Sequence, residues 1–234
     1  MRLKEILVKD VLLREFCEHL EETTSTMKSV QGKLARLLDE SKDLVFKPFG
    51  ITNKDPKYFI AGSARLYLYP QLAEILKLKE VGDLDMVVPG RAEWEKAYNY
   101  NQQNPNPEVE EGELKKGIWR PTADDSIEAF TKWAPNLAKT KDAKDFSVRD
   151  TNAILAESVK TPIGGYYFMS LYDIMDYKLN MNRPKEQAIT KYLIEFQQAS
   201  PQDKEQIKEK VLELFAGDET QAKDFLAPAV AQKT

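Results

Sequence analysis

Apolar residues recur every three or four positions at both ends of the chain, which is the spacing of amphipathic helices. One such stretch covers residues 1–22, and a second runs from Met27 to Leu38 after a short polar break. Together they predict a helical hairpin over residues 1–48. The same spacing returns at Leu171 and continues towards the C-terminus, so we expect residues 171–234 to be helical as well.

The middle of the chain has a different pattern, with short apolar runs bounded by Gly, Pro and Asn. Four of these runs predict strands, at residues 58–61, 81–88, 127–130 and 166–170. Residues 101–125 are rich in Asn, Pro and charge, which is typical of an exposed loop or insertion. The chain is therefore predicted to be an α+β protein. It has a small mixed β-sheet core over residues 49–170, with an insertion at about 101–125, flanked by the N-terminal hairpin and the C-terminal helices.

The counts of cysteine and histidine limit the chemistry that this protein can perform. Its 234 residues include one cysteine, Cys17, and one histidine, His19. A Cys/His zinc site needs about four ligands, and a catalytic triad would depend on His19, which lies in the first predicted helix. We therefore expect any catalysis to use carboxylates and a hard metal ion.

Charge and hydropathy indicate where the protein works. Lys and Arg number 34 against 38 Asp and Glu, a net charge of −4 that argues against a protein coating nucleic acid non-specifically. The first residues interleave charged and apolar side chains, unlike a signal peptide, and no apolar run approaches the ~20 residues that span a bilayer. We expect a cytoplasmic protein without membrane contact, with the hairpin over residues 1–48 as a surface for a protein partner.

Two aspartates lie at the start of the second predicted strand. Side chains alternate along a strand, so Asp83 and Asp85 share one face while Leu84, Met86 and Val88 point into the core. Two carboxylates so close repel each other unless a cation lies between them. Oxygen ligands of this kind favour Mg²⁺ or Mn²⁺, which also bind substrate phosphates.

A glycine and a serine follow the first predicted strand, where a helix is expected to run through Leu76. Gly62 permits close approach of a ligand to the backbone, and Ser63 is suited to capping the helix. The free N–H groups of a helix N-terminus attract phosphate. A phosphate site beside paired carboxylates is what phosphoryl chemistry on nucleotides needs.

These two motifs resemble the signature of the nucleotidyltransferase superfamily of the DNA polymerase beta type, in which Gly-Ser opens a helix and Asp-x-Asp lies on the next strand. Residues 168–194 also resemble the helical element that follows the sheet in minimal members, including abortive-infection toxin-like transferases. The matching positions there are Ser170-Leu171, Lys178 and Arg183-Pro184-Lys185-Glu186. The resemblance covers roughly residues 58–196.

The resemblance implies a reaction in which an NMP moves from an NTP to the hydroxyl of an RNA, protein or small-molecule acceptor, with release of pyrophosphate. It implies that Asp83, Asp85 and a third carboxylate hold Mg²⁺ or Mn²⁺. Glu128 is our choice for the third, because it lies in a short apolar run that reads as a strand. Asp150 is the second choice, followed by Asp124 or Asp125.

The resemblance also implies which residues hold the triphosphate, namely Gly62, Ser63, Arg65, Lys178 and Lys185. The chain departs from the family pattern in the long gap between Ser63 and Asp83 and in Glu186, where the family has Asp. A glutamate as third carboxylate is a further departure. The alternative hypothesis is therefore a catalytically degenerate protein of the same fold that serves as a binding or interaction module.

Overall fold

Helix formation at the N-terminal end follows the apolar spacing. The computed structural model describes residues 25–69, 71–72, 83–133, 149–181 and 187–231. Helix α1 covers Ser25–Ser41, passes through a π-helical turn at Lys42–Phe46 and continues as the short α2, Lys47–Phe49. The helix ends at Gly50, whose φ of 60° suits glycine in the left-handed region. The first half of the predicted hairpin, residues 1–22, lies outside the described residues.

Four short strands form a mixed sheet in the middle of the chain. They are β1 (Phe59–Ile60), β2 (Leu84–Val87), β3 (Ile118–Trp119) and β4 (Ile127–Phe130), in the spatial order β1-β2-β4-β3. The central pair, β2 and β4, is parallel, and each edge strand is antiparallel to its neighbour. The α+β class predicted from the sequence is confirmed, with three of the predicted strands at or within their expected bounds.

The prediction of a strand at residues 166–170 is wrong. Phe168 forms only an isolated bridge to Ile60, in which the Ile60 N–H donates to Tyr167 O at 2.7 Å and the Met169 N–H donates to Ile60 O at 2.8 Å. Because β1 is only two residues long, residues 166–170 have no neighbouring strand long enough to form a ladder with. The aromatic run has the composition of a strand, but its neighbour is too short to make it one.

Residues 101–125, predicted from composition to be an exposed loop or insertion, contain regular elements and buried anchors. Helix α3 (Arg91–Gln103) ends inside the segment, and the segment also contains α4 (Glu111–Lys115) and β3. Val109, Leu114 and Trp119 are buried in the core. Three apolar residues spaced well apart among polar ones produce no periodic signal, although they pack in the same core cluster as the sheet.

The sheet separates two clusters of buried side chains. Leu84, Met86 and Ile127 pack on the side of α1 and α2, in a cluster that also holds Leu34 and Phe49. Val87 and Phe59 face the other cluster, which the C-terminal helices fill. These helices are α5 (Thr151–Ser158), α6 (Leu171–Met181), α7 (Gln187–Gln198), α8 (Pro201–Leu214) and α9 (Glu219–Ala231). In the described part of the chain, no helix combines the length and apolar character that a membrane crossing requires.

Candidate functional site

Three carboxylates meet on one face of the sheet. Asp85 on β2 lies directly opposite Glu128 on β4 in the parallel register, and Asp83 precedes Asp85 by one strand repeat. One carboxylate oxygen from each of Asp83, Asp85 and Glu128 lies within 4.8 Å of the other two. As the strand alternation predicts, Leu84, Met86 and Val88 are fully buried on the opposite face. The structure therefore brings the first-choice third acid to the two aspartates.

The other candidates for the third acid serve local structure. Asp150 is the N-cap of α5, where its Oδ1 accepts two first-turn backbone N–H groups at 2.9 and 3.3 Å. Asp124 accepts the Ser126 N–H at 3.1 Å, and hydrogen bonds from Ser126 lower the pKa of Asp124. Asp125 occupies a left-handed turn position, with φ of 51°. Among the residues that the structure describes, none of the three joins the group formed by Asp83 and Asp85.

Gly62 forms the turn that follows β1, directly against the carboxylate of Asp85. Its φ is +68°, and a Cβ at this position would lie 2.9 Å from Asp85 Oδ2. The preceding N–H, that of Ala61, donates to the Asp85 carbonyl at 2.8 Å. Glycine is therefore required here twice, for the backbone conformation and for the space that the carboxylate occupies.

We expect Gly62→Ala to destabilise the fold and to weaken divalent-cation binding. The left-handed conformation costs a non-glycine residue about 1–2 kcal/mol, and the new methyl group displaces Asp85 from Asp83 and Glu128. Urea denaturation and Mn²⁺ titration of the full chain measure the two effects. Gly32→Ala on α1 is the control, because a Cβ there meets nothing within 4 Å. Equal stability and Mn²⁺ affinity in Gly62→Ala and the unaltered chain would contradict the close approach.

Ser63 is linked to a buried lysine of the C-terminal region. Lys178 on α6 is 2% exposed, and its Nζ donates to Ser63 Oγ at 2.9 Å. The chain after Ser63 forms a short 3₁₀-helix, Ala64–Leu68, at the start of the stretch where a helix up to Leu76 is expected, and residues 73–82 lie outside the described part of the chain. Within the described residues, the Ser63 side chain caps no N–H group of this turn, so the predicted capping role is wrong.

Arg65 lies in the core and joins the turn to the last helix. Its side chain is 3% exposed, with Nη1 donating to Met169 O at 3.0 Å and Nη2 to Gln221 Oε1 on α9 at 2.6 Å. The Tyr69 hydroxyl donates to the same Gln221 oxygen at 3.0 Å. These bonds connect Arg65 to neighbouring elements of the core. Lys185, the other cation predicted to bind phosphate, lies outside the described residues.

The helix that carries Lys178 has a fixed N-terminus. The Ser170 hydroxyl donates to Asp173 Oδ2 at 2.6 Å, and the Asp173 N–H donates back to Ser170 Oγ at 3.0 Å. Arg149 donates to the other Asp173 oxygen at 3.1 Å. Burial raises the pKa of Asp173, and the Ser170 hydrogen bond and the Arg149 charge oppose that rise. This end of α6 therefore sets the position from which Lys178 reaches Ser63.

The structure adds Arg120, a residue that sequence reasoning did not single out. Arg120 directly follows β3, and its guanidinium forms ion pairs with Glu128 through Nε and with Glu113 through Nη1. Asp125 Oδ1 lies 3.8 Å from the same Nε. The hydrogen bond to Glu128 is the main cause of the raised pKa of Arg120. The pairing of β3 with β4 places Arg120 opposite Glu128. A sequence pattern that revealed β3 would therefore have pointed to Arg120.

The donor set of this group fits a hard divalent cation. It consists of carboxylate oxygens from Asp83, Asp85 and Glu128, which is the ligand type that Mg²⁺ and Mn²⁺ prefer. The glycine at position 62 leaves the space that the Asp85 carboxylate occupies. A cation among the three groups would also relieve the repulsion between carboxylates at matched register.

Comparison of the chain with protein-family models, with curated proteins and with solved structures finds no match. The resemblance to nucleotidyltransferases therefore stays a prediction. It depends on the residues themselves, namely the turn at Gly62-Ser63 and the acids Asp83, Asp85 and Glu128.

Proposed function

We propose that this protein is a metal-dependent nucleotidyltransferase, which moves an NMP from an NTP to an acceptor hydroxyl and releases pyrophosphate. The observation that carries the proposal is the convergence of Asp83, Asp85 and Glu128, with oxygens within 4.8 Å of one another, beside the turn at Gly62-Ser63. A site for nucleotide phosphates needs ligands for a metal ion and a backbone turn that binds phosphate oxygens. The three carboxylates would supply the first, and the turn after β1 would supply the second.

Asp83, Asp85 and Glu128 would hold Mg²⁺ or Mn²⁺. When bound, such an ion neutralises charge on phosphate oxygens and lowers the pKa of a hydroxyl group beside it. The chain prepares these ligands in advance, because the register of β2 and β4 holds Asp85 opposite Glu128. Preorganised ligands lose little conformational entropy on binding, which favours both affinity and correct geometry.

The Gly62-Ser63 turn binds and orients the triphosphate in this proposal. Its backbone N–H groups and the Ser63 hydroxyl donate to phosphate oxygens, and Lys178 fixes the orientation of that hydroxyl through the 2.9 Å hydrogen bond. Because Lys178 is almost fully buried, its hydrogen bond to Ser63 forms in a medium that weakens it less than water does. Arg65 contributes indirectly, by tying the turn to Met169 and Gln221.

The chemical step is an in-line displacement at the α-phosphorus. The acceptor oxygen forms a bond to this phosphorus, and the bond to the bridging oxygen of the β-phosphate breaks. Pyrophosphate leaves with the electron pair of that bond. The proton of the acceptor hydroxyl passes to solvent, because Glu128 is engaged as a ligand and by its ion pair with Arg120.

The test uses the full chain with each of four NTPs, labelled in parallel at the α- or the γ-phosphate, in Mg²⁺ or Mn²⁺. RNA, protein and small polyhydroxy compounds are offered as acceptors, and pyrophosphate release is followed separately. We expect label from the α-phosphate to reach an acceptor while γ-label leaves as pyrophosphate. Transfer of γ-label to an acceptor would indicate phosphoryl transfer. The absence of both label transfer and pyrophosphate release, with every acceptor, would contradict the proposal.

The second candidate is a degenerate protein of the same architecture that acts as a binding module, with the hairpin over residues 1–48 as the surface for its partner. The ion pair between Arg120 and Glu128 favours it, because a guanidinium already neutralises the third carboxylate. Calorimetric titration with an NTP, with and without Mg²⁺, separates the two candidates. Metal-dependent nucleotide binding supports the enzyme, and its absence supports the binding module.

A further inference from the structure

We propose that Arg120 is a positioning residue of this site, which holds the Glu128 carboxylate in the orientation that groups it with Asp83 and Asp85. The proposal rests on the proposed function, since it concerns the same three acids. Arg120 belongs to the segment 101–125, whose composition gives no indication of a role in the site. Its assignment comes from strand register and from the contacts of its guanidinium.

Arg120, Glu128 and Asp85 lie in one row across the sheet. β3 and β4 pair antiparallel with Trp119 opposite Ala129, so the next pair in that register is Arg120 and Glu128. On its other side, Glu128 lies opposite Asp85. Side chains at matched positions of adjacent strands project from the same face, within reach of one another. Glu128 therefore has an acid on one side and a guanidinium on the other.

The guanidinium is itself held from its outer side. Arg120 Nη1 pairs with Glu113 on α4, while Nε pairs with Glu128 on β4. The Glu128 side chain is 13% exposed and that of Arg120 is 31% exposed, so the carboxylate is largely shielded from water and the guanidinium partly so. The planar guanidinium donates to two carboxylates in fixed directions, a geometry that the single ammonium of lysine does not reproduce.

The physical need for this contact follows from the length of Glu128. A glutamate has one more rotatable bond than an aspartate, and Asp85 repels it from the adjacent strand. Without a partner on the β3 side, the Glu128 carboxylate is free to turn away from the group. The hydrogen bond from Arg120 keeps one carboxylate oxygen occupied and leaves the second for a cation, the usual arrangement of an outer-sphere partner.

The test is Mn²⁺ binding to the full chain without nucleotide, followed by the paramagnetic resonance of free Mn²⁺. Arg120→Lys keeps the positive charge and removes the two-pronged contact, so we expect Mn²⁺ affinity to fall about 10- to 100-fold. The matched control is Arg91→Lys, whose side chain is 93% exposed and pairs with Glu95 on α3; it leaves the affinity unchanged. Thermal unfolding of both variants without metal shows whether the fold is intact.

Two further variants keep the proposal testable if Arg120→Lys is unstable. Glu113→Gln removes the outer anchor of Arg120 without changing a member of the acid group, and we expect a smaller loss of Mn²⁺ affinity. In a Glu128→Gln background, Arg120→Lys has no additional effect, since the carboxylate it positions is gone.

Each result decides a different point. Equal or tighter Mn²⁺ binding by folded Arg120→Lys, or by Glu113→Gln, overturns the positioning role and makes Arg120 a competitor of the cation. A full additional loss in the Glu128→Gln background also overturns it. If the unaltered chain binds no Mn²⁺, the proposed metal site fails, and the positioning role fails with it. If the unaltered chain binds Mn²⁺ but transfers no nucleotide, the proposed activity is overturned. The Mn²⁺ affinities of the variants then still decide the role of Arg120.

Discussion

Asp85→Asn is expected to reduce nucleotide transfer about a thousandfold or more while leaving the fold intact. Asparagine has the shape of aspartate but lacks its charge, so the strand pairing of β2 and the contact with Gly62 are retained. What is lost is a charged ligand between Asp83 and Glu128. Electrostatic stabilisation by a bound metal is worth several kcal/mol, and about 4 kcal/mol corresponds to the stated loss in rate. The rate of α-label incorporation measures it.

A second measurement separates loss of the metal from loss of the fold. A ligand that binds only the folded state stabilises it, so Mn²⁺ should raise the melting temperature of the unaltered chain but not that of Asp85→Asn. Asp39→Asn on α1 is the matched control, because that carboxylate is exposed and pairs only with Lys42 among the ion pairs described. Transfer by Asp85→Asn above a tenth of the normal rate would contradict a metal-ligand role for this residue.

Local alternation was sufficient to predict how β2 presents its side chains. The pattern from Asp83 to Val88 predicts acids on one face and apolar residues on the other, and the burial of Leu84, Met86 and Val88 confirms it. This success is expected where the signal is local, since a strand repeats every second residue whatever its neighbours are. The predicted helices of the C-terminal region are found for the same reason.

The grouping of Glu128 with the aspartates depends on long-range pairing. The apolar run around it predicts β4 at its observed bounds, but the parallel register that sets Glu128 opposite Asp85 has no local signal. Strand character alone favours Glu128 over Asp150 as the third carboxylate. Asp150 precedes a helix, and its capping role became visible only with the start of α5.

The features that sequence reasoning missed are short and depend on tertiary contacts. β3 has two residues and lies among charged and polar neighbours, so it shows no alternation. Arg120 follows it and could not be connected with Glu128 without that strand. The run at residues 166–170 shows the converse error, because strand-like composition does not supply a neighbour long enough to pair with.

Trp119→Ala is expected to cost about 3–5 kcal/mol of the free energy of unfolding, the range for truncating a buried tryptophan. Trp119 is 2% exposed, and its indole packs edge-on against Phe49 with ring centroids 5.6 Å apart. Its Nε1–H donates to Leu44 O at 2.8 Å, so truncation also leaves that carbonyl without this donor. The residue joins β3 to the helical segment on the far side of the sheet, and urea denaturation measures the loss.

Trp119→Phe separates the two contributions, because it keeps an aromatic ring and removes the indole donor. We expect its cost to be smaller than that of the alanine variant, about 1–3 kcal/mol, because it leaves the Leu44 carbonyl without this donor but creates only a small cavity. A cost below about 1 kcal/mol for Trp119→Ala would mean that the segment 101–125 attaches loosely to the core, as an insertion would. A loss of about 3–5 kcal/mol in the free energy of unfolding would instead mean that β3 unfolds only with the whole protein. Arg120, which directly follows β3, is then held in a fixed position from which it contacts Glu128.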